Sequence, residues 1–246
     1  MYKQLAASVM SVTTRCSSLM GDIPVSPMRL WYTVFATAAL VSCASVPGAS
    51  SRPASSVSAG FGDLESQLFS ELNSARANPA AYSANLLPLL SLFTGKLLHR
   101  PGWPNAVQTA EGPFAVREAI AALGRQPSVS RLMLDPELSR AARDLANDQS
   151  RTGAVGHTSS GGSSPVDRIN RYGTWGVRYS ENVDYGSVIS GRDVIEDMII
   201  DDGVRDRGHR INTFDASAGV VGIGCASHPR YGVVCVIDQT GSFVPR

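Results

Sequence analysis

The sequence predicts an α+β domain. Apolar residues recur at helical spacing through most of the chain after residue 61, the last quarter switches to short β-branched runs, and Gly, Pro or Asn punctuates the changes of pattern. Helices first and strands last point to segregated elements rather than to alternating βαβ units, and no internal repeat is present.

The elements follow in order. "DLESQLFSELNSAR" sets Leu64, Leu68 and Leu72 on one helical face behind Asp63 as N-cap, and Asn78-Pro79 closes it. "NPAAYSANLLPLL" is a second, shorter helical piece. Residues 94–112, "TGKLLHRPGWPNAVQTAEG", are rich in breakers and read as a long loop or insertion. "PFAVREAIAALG" has Pro113 in a first turn and Gly124 after the last. "LDPELSRAARDLANDQS" starts with Asp135 as N-cap and Pro136 at N1, and puts Leu138, Ala141, Ala142 and Leu145 on one face. "SPVDRINRYG" is a short helix capped by Ser164 and stopped by Gly173. "GVVGIGCA" and "YGVVCVID" are short and bounded by turn residues, as the arms of an antiparallel hairpin are.

Cys225 and Cys235 flank "ASHPRYGVV" and would stand opposite each other in that hairpin, which suits a disulfide; the alternative is a pair of buried thiols. The N-terminus favours the disulfide. From Met28, one Arg precedes an apolar run from Leu30 to Val41, the length of a signal-peptide h-region and short for a membrane span. "LVSC", residues 40–43, resembles a bacterial lipobox, which would make Cys43 the lipidated first mature residue; "CAS" and "PGAS" equally suit an ordinary signal peptidase. The reading is a leader over 1–43 with its true start near 28, a Ser/Ala/Pro tether over 44–60 and one domain over 61–246. It implies export to an oxidising compartment, whether secreted, periplasmic or lipid-anchored.

Charge excludes other classes. Twenty-two Lys and Arg against 21 Asp and Glu give a net charge of +1 over 246 residues, with no basic run to track phosphates, so nucleic acid is not an expected partner. No HExxH, GxSxG, CxxC or phosphate-loop pattern occurs.

Chemistry gathers in three places. In "DVIEDMIIDDG" the helical stripe formed by Val194, Ile195, Met198 and Ile199 runs on to Asp202 near its centre. A carboxylate there needs a cation, a metal or donors, unless the last turn has already left the core. "GAVGHTSSGG" presents His157 in a Gly/Ser loop, and in "GVRYSENVDYGS" Tyr179, Glu181 and Val183 share a face. His209 follows Asp202 in "GVRDRGHR". His99 and His228 read as exposed loop residues. Arg210 and Asn212 read as structural, and Tyr172 and Trp175 as core.

Taken together, "LDPELSRAARDLANDQSRTGAVGHTS", "SENVDYGS" and "DMIIDDGVRDRGHRINTF" followed by "VGIGCA" resemble, in that order, the CAP superfamily, or SCP domain: cysteine-rich secretory proteins, antigen 5 and pathogenesis-related proteins, in their bacterial form. The resemblance covers roughly residues 61 to 243. It implies an α-β-α sandwich with a small antiparallel sheet between helical layers and a central cleft. It further implies a tetrad in that cleft: His157 and His209 as ligands of a divalent metal such as zinc, with Glu181 and Asp202 as acids that orient them or act as bases. Ser180 stands where the family has glycine, and Asp202 is a methylene shorter than the glutamate of eukaryotic members. The expected function is an exported, monomeric module that binds a metal and a small-molecule, lipid or protein ligand. The alternatives are a metal-dependent hydrolase of peptidase or esterase type and a structural or adhesive envelope protein.

Overall fold

The computed structural model describes residues 10–12, 58–187 and 190–246. The chain divides into two compact units, 1–14 with 57–246 and 15–56, and the described residues all lie in the first. Its elements in chain order are β1 (Met10–Val12), α1 (Ser58–Ala77), α2 (Pro79–Tyr82), two 3-10 turns up to Leu92, β2 (Phe93–Thr94), β3 (Leu97–Leu98), β4 (Val107–Gln108), α3 (Pro113–Leu123), β5 (Met133–Leu134), α4 (Pro136–Thr152), α5 (Pro165–Tyr172), β6 (Gly173–Gly186), α6 (Gly191–Ile200), α7 (Gly208–Thr213), β7 (Val220–His228) and β8 (Gly232–Pro245). The lipobox-like residues 40–43, Cys43 among them, lie outside the described residues; of residues 1–43, which the sequence reads as a leader, Met10–Val12 pair antiparallel with Tyr179–Glu181 of β6.

Local signals act largely as the sequence predicts. Asp135 accepts from the N–H groups of Glu137 and Leu138, both at 2.8 Å, and Pro136 opens α4. Ser164 and Asp167 form a capping box on α5. The exception is α1, which begins at Ser58, so Asp63 lies inside the helix rather than capping it. Gly173 ends α5 by turning into the extended backbone of β6.

The main sheet has the order β1-β6-β8-β7-β5, antiparallel except for β5, which runs parallel to β7. Strand alternation gives it two apolar faces. Tyr179, Val183, Tyr185, Val220, Ala226, Val234 and Val236 pack with α4 and α5. Val221, Ile223, Cys225, Cys235 and Ile237 pack with α1, α3 and α6 on the other side. The result is the α-β-α sandwich. Cys225 and Cys235 occupy facing positions of the hairpin and form a disulfide. Gly222 and Gly224 let α4 rest on β7: a Cβ at either would sit within 2.4 Å of the α4 backbone. Beyond β5 the outer edge of β7 is closed by side chains, Ser139 accepting from Ile223 N–H and Glu65 from Cys225 N–H.

The segment read as a loop over 94–112 is a small antiparallel sheet of β2, β3 and β4. It is fastened to α6 by Arg100, whose guanidinium donates to Asp193 at 2.9 Å, Glu196 at 2.8 Å and Asp197 at 2.8 Å. Three acids exceed what one guanidinium neutralises, and burial pushes the Glu196 carboxyl up to about 7. Between its ordinary value of 4.5 and about 7 the folded chain holds this proton more tightly than the unfolded chain. Stability is therefore expected to fall as pH rises through that window, by about 3 kcal/mol in total. Urea midpoints at about pH 5 and about pH 8 check this, with Glu196→Gln expected to flatten the slope; an unchanged slope in the variant would assign it to another group.

Candidate functional site

The His157 loop begins where α4 ends. Gly153 adopts a left-handed backbone (φ 69°) and its N–H returns to Gln149 O at 2.8 Å, which stops the helix. Gln149 then holds Gly156 O at 2.7 Å, while Tyr185 Oη accepts from Gly156 N–H at 2.8 Å. The next residue, His157, donates from Nδ1 to Glu181 Oε1 at 2.7 Å. The other Glu181 oxygen accepts from Arg168 of α5, and both Arg168 and Glu181 are fully buried. Arg168 also donates to Ser163 O at 2.9 Å and Ser159 Oγ at 3.2 Å, so it ties the loop to the acid.

A second acid lies beside Glu181. Asp238 of β8 is its direct cross-strand neighbour, is fully buried, and neither of its oxygens receives a bond from an N–H or hydroxyl among the described residues. Burial raises its carboxyl well above the usual carboxylate range, the Glu181 charge raises it further, and Arg168 opposes this without prevailing. Two adjacent carboxyls facing one cation cannot both ionise cheaply, and burial favours the neutral form of Asp238.

His209 is held by a different acid from the one the sequence predicts. Helix α6 ends at Ile200, and Asp201 turns left-handed (φ 54°) as its cap. That turn brings Asp201 Oδ1 to His209 Nδ1 at 2.6 Å and Asp201 Oδ2 to His209 N–H at 2.9 Å. Asp202 is buried, as its place on the stripe requires, and borders the same recess as His209, with Val183, Asp184, Asp197, Met198 and Asp201. Its oxygens, however, accept from Ala110 N–H at 2.6 Å and Glu111 N–H at 2.8 Å. Helical spacing no longer applies past Ile200, so the expectation that Asp202 pairs with His209 gives way to Asp201. Asp202 instead fastens the end of the β2–β4 segment. Glu111 continues that fastening through a two-pronged pair with Arg207, which holds its carboxyl below the usual range.

Adjacent residues of β6 serve the two histidines. Glu181 points toward α5, whereas its neighbour Asn182 donates to His209 O at 3.1 Å and accepts from Asn212 at 2.8 Å. Asn212 is thus structural, and Arg210, paired with Glu118, is as well. Among the described residues no group of three or more His, Cys, Asp or Glu side chains is arranged to hold a metal ion. The acids are bonded to protein donors, and a buried guanidinium sits on Glu181. A Zn²⁺ at His157 and His209 would have two protein ligands at most, fewer than the three or four of ordinary sites. The residues do not make up a resident zinc site of that kind.

Sequence reasoning missed Arg168, Asp201, Asp238 and the burial of His228. His99 is exposed as expected, but His228 is 2 % exposed and packs against Tyr185 and Tyr231. Trp175 meets Tyr179 edge to face at 5.1 Å on the α5 side of the sheet.

No curated protein matches the chain. An extracellular protein containing a SCP domain from Bacillus anthracis is similar in structure, at 16% identity and a TM-score of 0.37 over 46% of this chain and 34% of that one. An outer surface protein from Borrelia burgdorferi is similar at 16% identity and a TM-score of 0.37 over 46% of this chain and 78% of that one. The chain thus spans about a third of the first of these and most of the second. The model of the cysteine-rich secretory protein family, CAP, matches residues 70–238, more than half of the chain and all of the site just described. The chain belongs to the CAP family.

Proposed function

We propose that this CAP domain is an exported binding module in which the recess at His209 and Asp201, together with the His157–Glu181 pair on the adjoining residues of β6, forms a cleft for a small-molecule, lipid or protein ligand, without a reaction of its own. One observation carries the reading: the acids bonded to the two imidazoles are already engaged. Glu181 holds His157 and Arg168, Asp201 holds His209 through ring and backbone, and Asp202 beside it holds two backbone amides. A carboxylate general base must be within reach of substrate and available to take a proton. These carboxylates instead fix imidazole orientation, which suits recognition. Export through the leader belongs to the proposal, in keeping with the Cys225–Cys235 disulfide; among the described residues no helix is long and apolar enough to cross a membrane.

The test sets binding against turnover. Native mass spectrometry of the chain recovered from its own culture medium is expected to show a retained ligand that the His157→Ala/His209→Ala variant loses. Hydrolysis of generic ester or peptide substrates that disappears in Glu181→Gln would overturn the reading in favour of a hydrolase. A second proposal, divalent-metal binding by His157 and His209, rests on the carboxylate behind each imidazole, an arrangement common behind metal-bound histidine. Zinc titration decides it: one equivalent bound by the wild type and lost in the double variant supports it, and equal behaviour of the two proteins refutes it.

A further inference from the structure

We infer that His228 is a positioning residue for the His157 loop and acts only as the neutral imidazole protonated at Nε2. The hydrogen-bond partners dictate this form. Nε2 lies 3.0 Å from Ala154 O, an acceptor, and must carry a proton. Nδ1 receives two donors, Arg230 N–H at 3.2 Å and Tyr231 N–H at 3.3 Å, and must carry a lone pair. The ring is enclosed between Tyr185, 5.5 Å away edge to face, and Tyr231, 5.1 Å away, and is buried.

This ring joins the tip of the β7–β8 hairpin to the Gly153–Gly156 backbone. The same two segments touch a second time, where a Cβ at Gly153 would meet Pro229 Cγ at 3.3 Å. Tyr185, which encloses the His228 ring, also holds Gly156 N–H, one residue before His157. The hairpin tip, the loop and Tyr185 thus form one cluster, in which His228 bonds the hairpin backbone to the loop directly and Tyr185 meets both from β6.

Protonation of Nδ1 would set an N–H against two N–H donors and remove both accepted bonds. The groups facing the ring are Tyr185 from β6, Arg230 and Tyr231 from the hairpin tip, and the backbone of the loop. The Arg230 guanidinium lies over the Tyr231 ring at 5.1 Å. The hydrogen bonds of the cluster are therefore built for the neutral form, and protonation of the ring is expected to loosen the loop.

The inference deepens the binding reading, since the loop it positions carries His157, but its test needs no ligand and stands if that reading falls. In the full chain, amide exchange at Gly156 reports the tie to Tyr185. His228→Asn keeps an acceptor for the hairpin amides and loses reach to Ala154 O; His228→Gln keeps a donor for Ala154 O. Gly156 exchange is expected to speed up about fivefold to tenfold in His228→Asn, the value of one hydrogen bond, and to stay near wild type in His228→Gln. Lowering the pH from about 8 to about 5, with exchange corrected for its intrinsic pH dependence, is expected to speed it in the wild type and much less in His228→Gln. Wild-type protection in His228→Asn, or an equal pH response in wild type and His228→Gln, would overturn the inference. The pH comparison still decides if the asparagine variant does not fold.

Discussion

Arg168→Met is expected to lower the free energy of unfolding by about 3–5 kcal/mol, the largest effect of a single substitution at the site. Arg168 is fully buried and is the cation bonded to Glu181, itself fully buried. Methionine fills comparable volume but leaves Glu181 ionised beside Asp238 with no guanidinium in contact. The expected response is a lower urea midpoint and a displaced His157 Nδ1–H resonance, because the carboxylate that accepts from this ring loses its other anchor.

The companion substitution tells whether Asp238 is the neutral acid. If burial keeps the carboxyl neutral, Asp238→Asn puts a neutral amide of the same size in its place and its cost is expected to stay within about 1 kcal/mol. Adding Glu181→Gln to Arg168→Met removes the stranded charge and is expected to recover part of the loss, a non-additivity that groups in direct contact show. If Arg168→Met and Asp238→Asn cost the same, Asp238 is ionised and shares Arg168, and the assignment of the proton falls.

Much of this site was legible, and the remainder was hidden for identifiable reasons. The caps at Asp135 and Ser164 were readable because they depend on residues within three positions. Cys225 and Cys235 were readable because a hairpin converts short sequence separation into a facing pair. His157, Glu181 and His209 stood out through polarity in unusual surroundings, and the family motifs reinforced them. Arg168 carried the same signal as Asp202, a charge on a buried helical stripe beside Pro165 and Ile169, but in a helix too short for its period to be persuasive. Asp238 shares strand parity with the buried Val234 and Val236, so its burial was implied, whereas its partner Glu181 comes from another strand. His228 was read as exposed because it precedes a proline in a turn; its enclosure by Tyr185 comes from a strand far away in sequence. Asp201 was missed because helix periodicity was carried past the point where the backbone turned left-handed.

That last difference yields the second large effect. Asp201→Ala is expected to cost about 3 kcal/mol, because it strands the ring and backbone donors of His209 and puts alanine at a left-handed position. Asp202→Ala is expected to cost about 2 kcal/mol by stranding the amides of Ala110 and Glu111. Stability alone would not separate these roles, but local readouts do. Asp201→Ala should displace the His209 imidazole resonances and leave the β2–β4 segment protected from protease. Asp202→Ala should do the reverse, opening cleavage between Lys96 and Gln108 while His209 keeps its resonances, since Asp201 still holds the ring. Displacement of the His209 signals by Asp202→Ala to the same degree would return Asp202 to the pair, as the sequence first suggested. The opposite outcome makes adjacent aspartates serve separate ends: Asp201 orients an imidazole at the cleft, and Asp202 fastens the small sheet whose residues join α6 through Arg100.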